Sequence, residues 1–171
     1  LLANSCYQKS QLGVPPSVSN VLLGWEADAT PQAQQQVDDD WRAVCRWAEN
    51  SSGEDEVFLT PRHQQTFKWY AGRAEVVNWK DVPQDAASLR EWYRRFRDVF
   101  PPRLGTLRVT IQYDQLRQIG EQYGVRYLIV DRRVAGKNLP LVQVYPTEFE
   151  TNETFAVYRL PWRASRPESS R

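Results

Sequence analysis

Hydrophobic positions change their period several times along this chain. Residues 1–29 are weakly periodic, carry Pro15-Pro16, and predict an irregular lead-in. Thr30-Pro31 has the chemistry of a helix start: a hydroxyl that accepts a free backbone N–H, then a residue whose missing N–H costs nothing at the first helical position. Val37, Trp41, Val44 and Ala48 follow at steps of 4, 3 and 4, which is one stripe of a helix. Asp38, Asp39 and Asp40 fall on its other faces. Three consecutive residues point about 100° apart and do not converge on one ion, so this triplet predicts a solvated face rather than a metal site.

Ser51-Ser52-Gly53 ends that helix, and Val57-Phe58-Leu59-Thr60 reads as a short buried strand. Thr60-Pro61 predicts a second helix start, with Phe67 and Ala71 inward and Gly72 as the stop. Ala74 to Trp79 reads as a second strand centred on Val76-Val77. Pro83 and Asp85 precede a helix whose inward stripe is Leu89, Trp92, Tyr93 and Phe96, ended by Pro101-Pro102. Another helix runs from about Gln112 to Tyr123, with Leu116 and Ile119 inward and Gly124 as its cap. Tyr127 to Asp131, Leu141 to Tyr145 and Thr154 to Leu160 are three further strands, with a turn at Gly136-Lys137-Asn138 and a polar tail over 163–171. This alternation predicts a single three-layer α/β, Rossmann-like domain over 30–162. Its sheet would be mostly parallel, of about five strands, with the last two antiparallel at one edge.

Composition narrows the classes of function. With 7 Trp, 8 Tyr and 6 Phe among 171 residues, the chain has ample core material without a metal or disulfide staple. A net charge of +1 lacks the basic excess of a nucleic-acid binder, and no run of 18 apolar residues is present to span a bilayer. The two cysteines, Cys6 and Cys45, and the single histidine, His63, fit no metal spacing. Cys45 is expected to be a small core residue, with a Cys6–Cys45 disulfide as the alternative in an oxidising compartment. Met is absent, and Leu1-Leu2-Ala3 is expected to continue an apolar segment upstream, either the exit of a transmembrane helix or the end of a signal peptide, with an arbitrary boundary as the alternative.

Candidate chemistry follows from the strand ends, because ligands of open α/β sheets bind beyond the carboxyl ends of the strands. Those ends give Thr60, Arg62 and His63, then Trp79, Lys80 and Asp81, then Asp131, Arg132 and Arg133. Arg62 and His63 would occupy a first helical turn, where free N–H groups favour an anion, and Arg62, Lys80 and Arg132 would supply charge for a phosphate or carboxylate. Solvated loop residues are the plain alternative. No Walker loop, no GxGxxG and no glycine-flanked Ser or Cys is present, so no cofactor is expected and no catalytic residue is assigned. The enzymatic alternative is a small soluble hydrolase or transferase with Thr60 as nucleophile and His63 and Asp131 as base and orienter. Against it, capping accounts for Thr60 and a helix start for His63. A protein-interaction module is a further alternative. Charge is uneven, with nine acids and two bases over 26–56 against ten bases and five acids over 62–108. That pattern fits an intramolecular match, or an anionic membrane surface beneath the basic part.

Four runs carry a resemblance: Val57-Phe58-Leu59-Thr60-Pro61, Phe67 to Arg73, Val76 to Pro83, and Glu91-Trp92-Tyr93. With Tyr123 to Asp131 and Phe155 to Leu160, they resemble a bacterial domain of unknown function over about residues 38–160. That domain is appended to the carboxyl end of polytopic membrane proteins related to GT-C glycosyltransferases, which use lipid-linked sugar donors. The resemblance implies an extracytoplasmic, non-catalytic accessory domain tethered to the transmembrane portion of its own parent chain. It further implies a catalytic carboxylate outside this chain and an anionic, phosphate-bearing lipid or glycan as the ligand. Arg73, Lys80 and Trp92 match its pattern, with Arg73 and Lys80 as implied ligand contacts. Each has a structural alternative: an anchor after Gly72, a partner for Asp81, and core. No tryptophan-aspartate signature of the oligosaccharyltransferase type is present, which sets protein glycosylation apart from this reading.

Overall fold

The structure, a computed structural model, describes residues 30–62, 64–100, 113–135 and 139–162. The lead-in, His63, Pro101-Pro102, the turn at 136–138 and the polar tail lie outside the described residues. The elements in chain order are α1 (Pro31–Ser51), β1 (Val57–Leu59), α2 (Phe67–Ala71), β2 (Ala74–Glu75), α3 (Ala86–Val99), α4 (Tyr113–Tyr123), β3 (Val125–Asp131), α5 (Arg132–Ala135), β4 (Val142–Tyr145) and β5 (Phe155–Arg159).

Thr30 caps α1 as its sequence dictates, its Oγ1 accepting the Ala33 N–H at 3.2 Å. Asp85 does the same for α3 through Ser88 N–H at 2.9 Å. Gly72 (φ 58°) and Gly124 (φ 68°) close α2 and α4 in the left-handed region, where a Cβ would be strained.

The strands form one sheet in the order β2-β1-β3-β5-β4. β1 runs parallel to β2 and β3, whereas β3–β5 and β5–β4 are antiparallel. The class is α/β, but the sheet is mixed, and its longest ladder is the antiparallel β3–β5 pair. This departs from the mostly parallel, Rossmann-like expectation. The physical reason is connection length: a parallel return needs a crossover, and the nine residues between Tyr145 and Phe155 carry no helix, so β5 turns back beside β4. β4 and β5 do pair antiparallel, but β5 also inserts against β3, so only β4 lies at the edge.

Both faces of the sheet are covered. On one, Trp41, Val44 and Ala48 of α1 and Phe67 of α2 pack on Phe58, Ile129, Phe155 and Val157. On the other, Leu116 and Ile119 of α4, with Trp92 and Phe96 of α3, pack on Leu59, Leu128, Val130, Ala156 and Tyr158. Successive residues of β5 alternate between the two clusters, as a two-residue period requires, and β3 reads as a continuous apolar run because both its faces are buried. Each fully buried large side chain here contributes about 1.5–3 kcal/mol of apolar transfer.

Four local expectations are corrected. The second strand, expected over Ala74 to Trp79, stops at Glu75, so Val76-Val77 lie just beyond β2, with Val76 N–H still donating to Phe58 O at 3.1 Å. The helix expected at Thr60-Pro61 starts only at Phe67, because the Thr60 hydroxyl is donated to Glu75 and caps nothing. Asp40 does not share the solvated face of Asp38 and Asp39; it is buried, and its Oδ2 accepts the Thr154 N–H at 3.0 Å at the start of β5. The stripe of α3 is incompletely covered: Trp92 and Phe96 are half-buried while Leu89 and Tyr93 are exposed.

Candidate functional site at the carboxyl edge of the sheet

Because β1, β2 and β3 are parallel, Thr60, Glu75 and Asp131 finish on the same edge. β4 also ends there, since it opposes β5, which opposes β3. At the β1–β2 end lies a buried polar cluster. Thr60 donates its hydroxyl to Glu75 Oε2 at 2.6 Å, and Asn78 donates Nδ2 to Glu75 Oε1 at 3.0 Å. Asn78 in turn accepts the Lys80 N–H through Oδ1 at 3.0 Å and the Trp92 indole N–H through its carbonyl at 2.8 Å. The cluster ties two strand ends and α3 together. Burial pushes the Glu75 carboxyl above its ordinary value, opposed by the Thr60 and Asn78 hydrogen bonds and by Lys68. Nearby, burial pushes the Cys45 thiol up to about 12, with Glu75 adding to the effect.

The other candidates sit along this edge or away from it. Asp131 is held in a fork by Arg133, Nε to Oδ1 at 3.0 Å and Nη2 to Oδ2 at 2.7 Å. Arg132 spans from β3 to the loop before β5, donating its N–H to Thr154 O at 2.8 Å and Nη1 to Asn152 O at 2.9 Å. The Arg62 guanidinium lies over the Phe96 ring at 5.4 Å, and Lys80 Nζ lies 5.9 Å from the Trp79 ring centroid. Arg62, Lys80 and Arg132 therefore share the edge while each rests on its own anchor. His63 is outside the described residues. With Thr60 engaged by Glu75 and Asp131 by Arg133, the other two members of the suggested catalytic trio are committed to different partners.

Arg73 precedes β2 and so lies at the opposite, amino end. Its Nη2 donates to Glu49 O and to Ser52 O, and its Nε to Ser52 Oγ at 3.1 Å. It thereby satisfies the free carbonyls at the end of α1. Asp81 pairs with Lys68 rather than with Lys80, which fastens the first turn of α2 to the loop after β2.

Sequence reasoning missed Glu75, Asn78 and Lys68. A signal for Glu75 existed: it is the one acid within the apolar run Ala74 to Val77, where a charge on a buried strand needs partners. Large apolar side chains flank this edge in the open. Trp69, beside Lys68, is 85% exposed and Phe149, on the loop after β4, is 92% exposed, with Trp79 and Val82 also exposed after β2.

Fold and edge together define an α/β domain on a mixed five-strand sheet, with a buried polar clamp at the carboxyl ends of its parallel strands. A domain of unknown function, DUF6798, is found at residues 39–99, which span α1 from Asp39 through α3. No curated protein and no solved structure matches the chain. Among the described residues, no helix is long and apolar enough to cross a membrane.

Proposed function

We propose that this domain is a non-catalytic, extracytoplasmic accessory part of a membrane-embedded, glycosyltransferase-like protein, and that its carboxyl edge faces an anionic surface or a phosphate-bearing lipid or glycan. The observation that supports this reading is the makeup of that edge: exposed Trp69, Trp79, Val82 and Phe149 around Arg62, Lys80 and Arg132. Indole rings favour the membrane–water boundary, and each Lys or Arg near an anionic leaflet adds about 1 kcal/mol of attraction. The Thr60–Glu75–Asn78 cluster serves the edge as a clamp. It fixes the β1 and β2 ends from which Arg62 and Lys80 project, and it is too enclosed by its own partners to be the chemistry itself.

The test is co-sedimentation with phosphatidylcholine vesicles with and without phosphatidylglycerol. The expected result is binding to the anionic vesicles alone, weakened by salt and by the Arg62→Gln/Lys80→Gln pair. Equal partition to both vesicle types, or none to either, would overturn the proposal for this edge.

A further inference from the structure

No residue of α3 is buried, although its sequence is that of a two-sided helix. Trp92 and Phe96 lean on the sheet cluster, while Leu89 and Tyr93 stay 40% and 55% exposed. At 100° per residue, Leu89, Tyr93, Arg97 and Arg90 fall in one sector of about 100° beside the covered side. The apolar stripe of α3 is therefore wider than the sheet covers, and two guanidiniums line its open margin. Arg90 has no hydrogen bond or ion pair among the described residues, and Arg97 rests 5.9 Å from the Tyr93 ring centroid. Arg94 and Arg95, by contrast, are taken up by Glu91.

The loop after β2 adds to this flank. It is tied to α3 at Asn78, whose carbonyl accepts the Trp92 indole N–H, and again at Asp85, which caps the helix. Trp79 to Gln84 bridge these two points, so exposed Trp79, Lys80 and Val82 lie beside the first two turns. The acids of this side are each engaged: Asp81 with Lys68, Glu91 with its two arginines, Asp85 with the Ser88 N–H.

The other face of the sheet presents the opposite charge at the same edge. Phe149 lies between the exposed acids Glu148 and Glu150, and Asp38 and Asp39 are exposed on α1 just before Asp40, which holds the start of β5. Trp69, on α2, shares that face. An anionic surface is thus attracted to the α3 side of the edge and repelled from the α1 side.

We infer that the domain meets an anionic lipid surface side-on, with the open flank of α3 lying along the headgroups. Leu89 and Tyr93 enter the interfacial layer, and Arg90 and Arg97 reach the lipid phosphates. This rests on the lipid-facing reading of the carboxyl edge and narrows it to one side, leaving Trp69 and Phe149 outside the contact.

Co-sedimentation of the whole chain with phosphatidylcholine vesicles containing phosphatidylglycerol tests the orientation. Leu89→Gln/Tyr93→Gln, at exposed positions and with helix propensity and charge kept, is expected to weaken partition at least about tenfold with an unchanged circular dichroism spectrum. Arg90→Gln/Arg97→Gln weakens it by about tenfold or more and flattens its salt dependence. Trp69→Gln/Phe149→Gln stays within twofold of the parent. If the parent binds and Leu89→Gln/Tyr93→Gln stays within twofold of it, or Trp69→Gln/Phe149→Gln loses as much, the side-on contact is overturned while the lipid-facing edge stands. A parent that does not sediment with these vesicles overturns both.

Discussion

Replacing Thr60 with valine keeps the shape of a buried side chain and deletes the O–H that Glu75 Oε2 accepts at 2.6 Å. The cost depends on the charge of Glu75. With the carboxylate ionised, the lost bond is of the charge-assisted kind, worth about 1.5–3 kcal/mol; with the acid protonated, the neutral bond is worth about 0.5–1.5 kcal/mol. Burial raises the Glu75 carboxyl above its ordinary 4.5, and the Thr60 bond is the first of the influences that hold it down. Removing that bond raises the carboxyl further. The folded chain then binds the proton more tightly than the unfolded one. The stability that Glu75 contributes is fully present below pH 4.5 and is lost as pH climbs through the folded-state value. Thr60→Val is therefore expected to cost more at pH 8 than at pH 4, by about 1 kcal/mol or more. Urea unfolding followed by tryptophan fluorescence measures both penalties, and taking differences against the parent removes the titration of distant acids. In a Glu75→Gln background no proton binds at this position, so the Thr60→Val cost becomes independent of pH. Equal penalties at the two pH values, or a pH-dependent penalty that survives Glu75→Gln, would refute the reasoning.

Other changes test the frame around the site. Arg73→Ala strips the end of α1 of its donors to Glu49 O and Ser52 O and is expected to cost about 1–2 kcal/mol in urea unfolding, with Arg73→Lys intermediate. Cys45 is fully buried and its thiol is pushed up to about 12, so Ellman's reagent at pH 8 should reach it only after unfolding; modification of Cys45 in the native chain, located by peptide mapping, would contradict its burial. At Gly120 an added Cβ would lie 1.7 Å from Trp162 Nε1, so Gly120→Ala must displace the indole from α4. The helix gains about 1 kcal/mol from alanine, yet overpacking costs about 1–3 kcal/mol, so net destabilisation with a red-shifted Trp162 emission is expected.

Local chemistry was legible in the sequence wherever the partner is close along the chain. Thr30 and Asp85 each cap a helix through an N–H three residues away, and Gly72 and Gly124 stop helices by their own backbone freedom. Asp40 shows where this fails. Beside Asp38 and Asp39 it has the pattern of a solvated triplet, and the group that buries it, the Thr154 N–H, is 114 residues distant. Thr60 fails differently. A hydroxyl before proline is a sound capping signal, but Glu75 needed a donor more, because an unsatisfied buried carboxylate costs more than a helix that starts a turn and a half later. β5 beside β3 was illegible for the same reason as Asp40: strand order is set by long-range pairing, and the period-2 pattern of a strand does not name its neighbour.

The matched stretch, residues 39–99, carries β1 and β2 but not the central strand β3. Its apolar side chains are completed from outside. Trp41 meets Phe155 edge-on with centroids 5.2 Å apart, and Phe58 stacks on Tyr127 at 5.0 Å. Its buried Asp40 likewise spends its carboxylate on β5. The clamp at the carboxyl edge is different in kind, since Thr60, Glu75, Asn78 and Trp92 all fall within 39–99 and satisfy one another there. The stretch thus depends on β3 and β5 for its core while carrying its polar cluster whole.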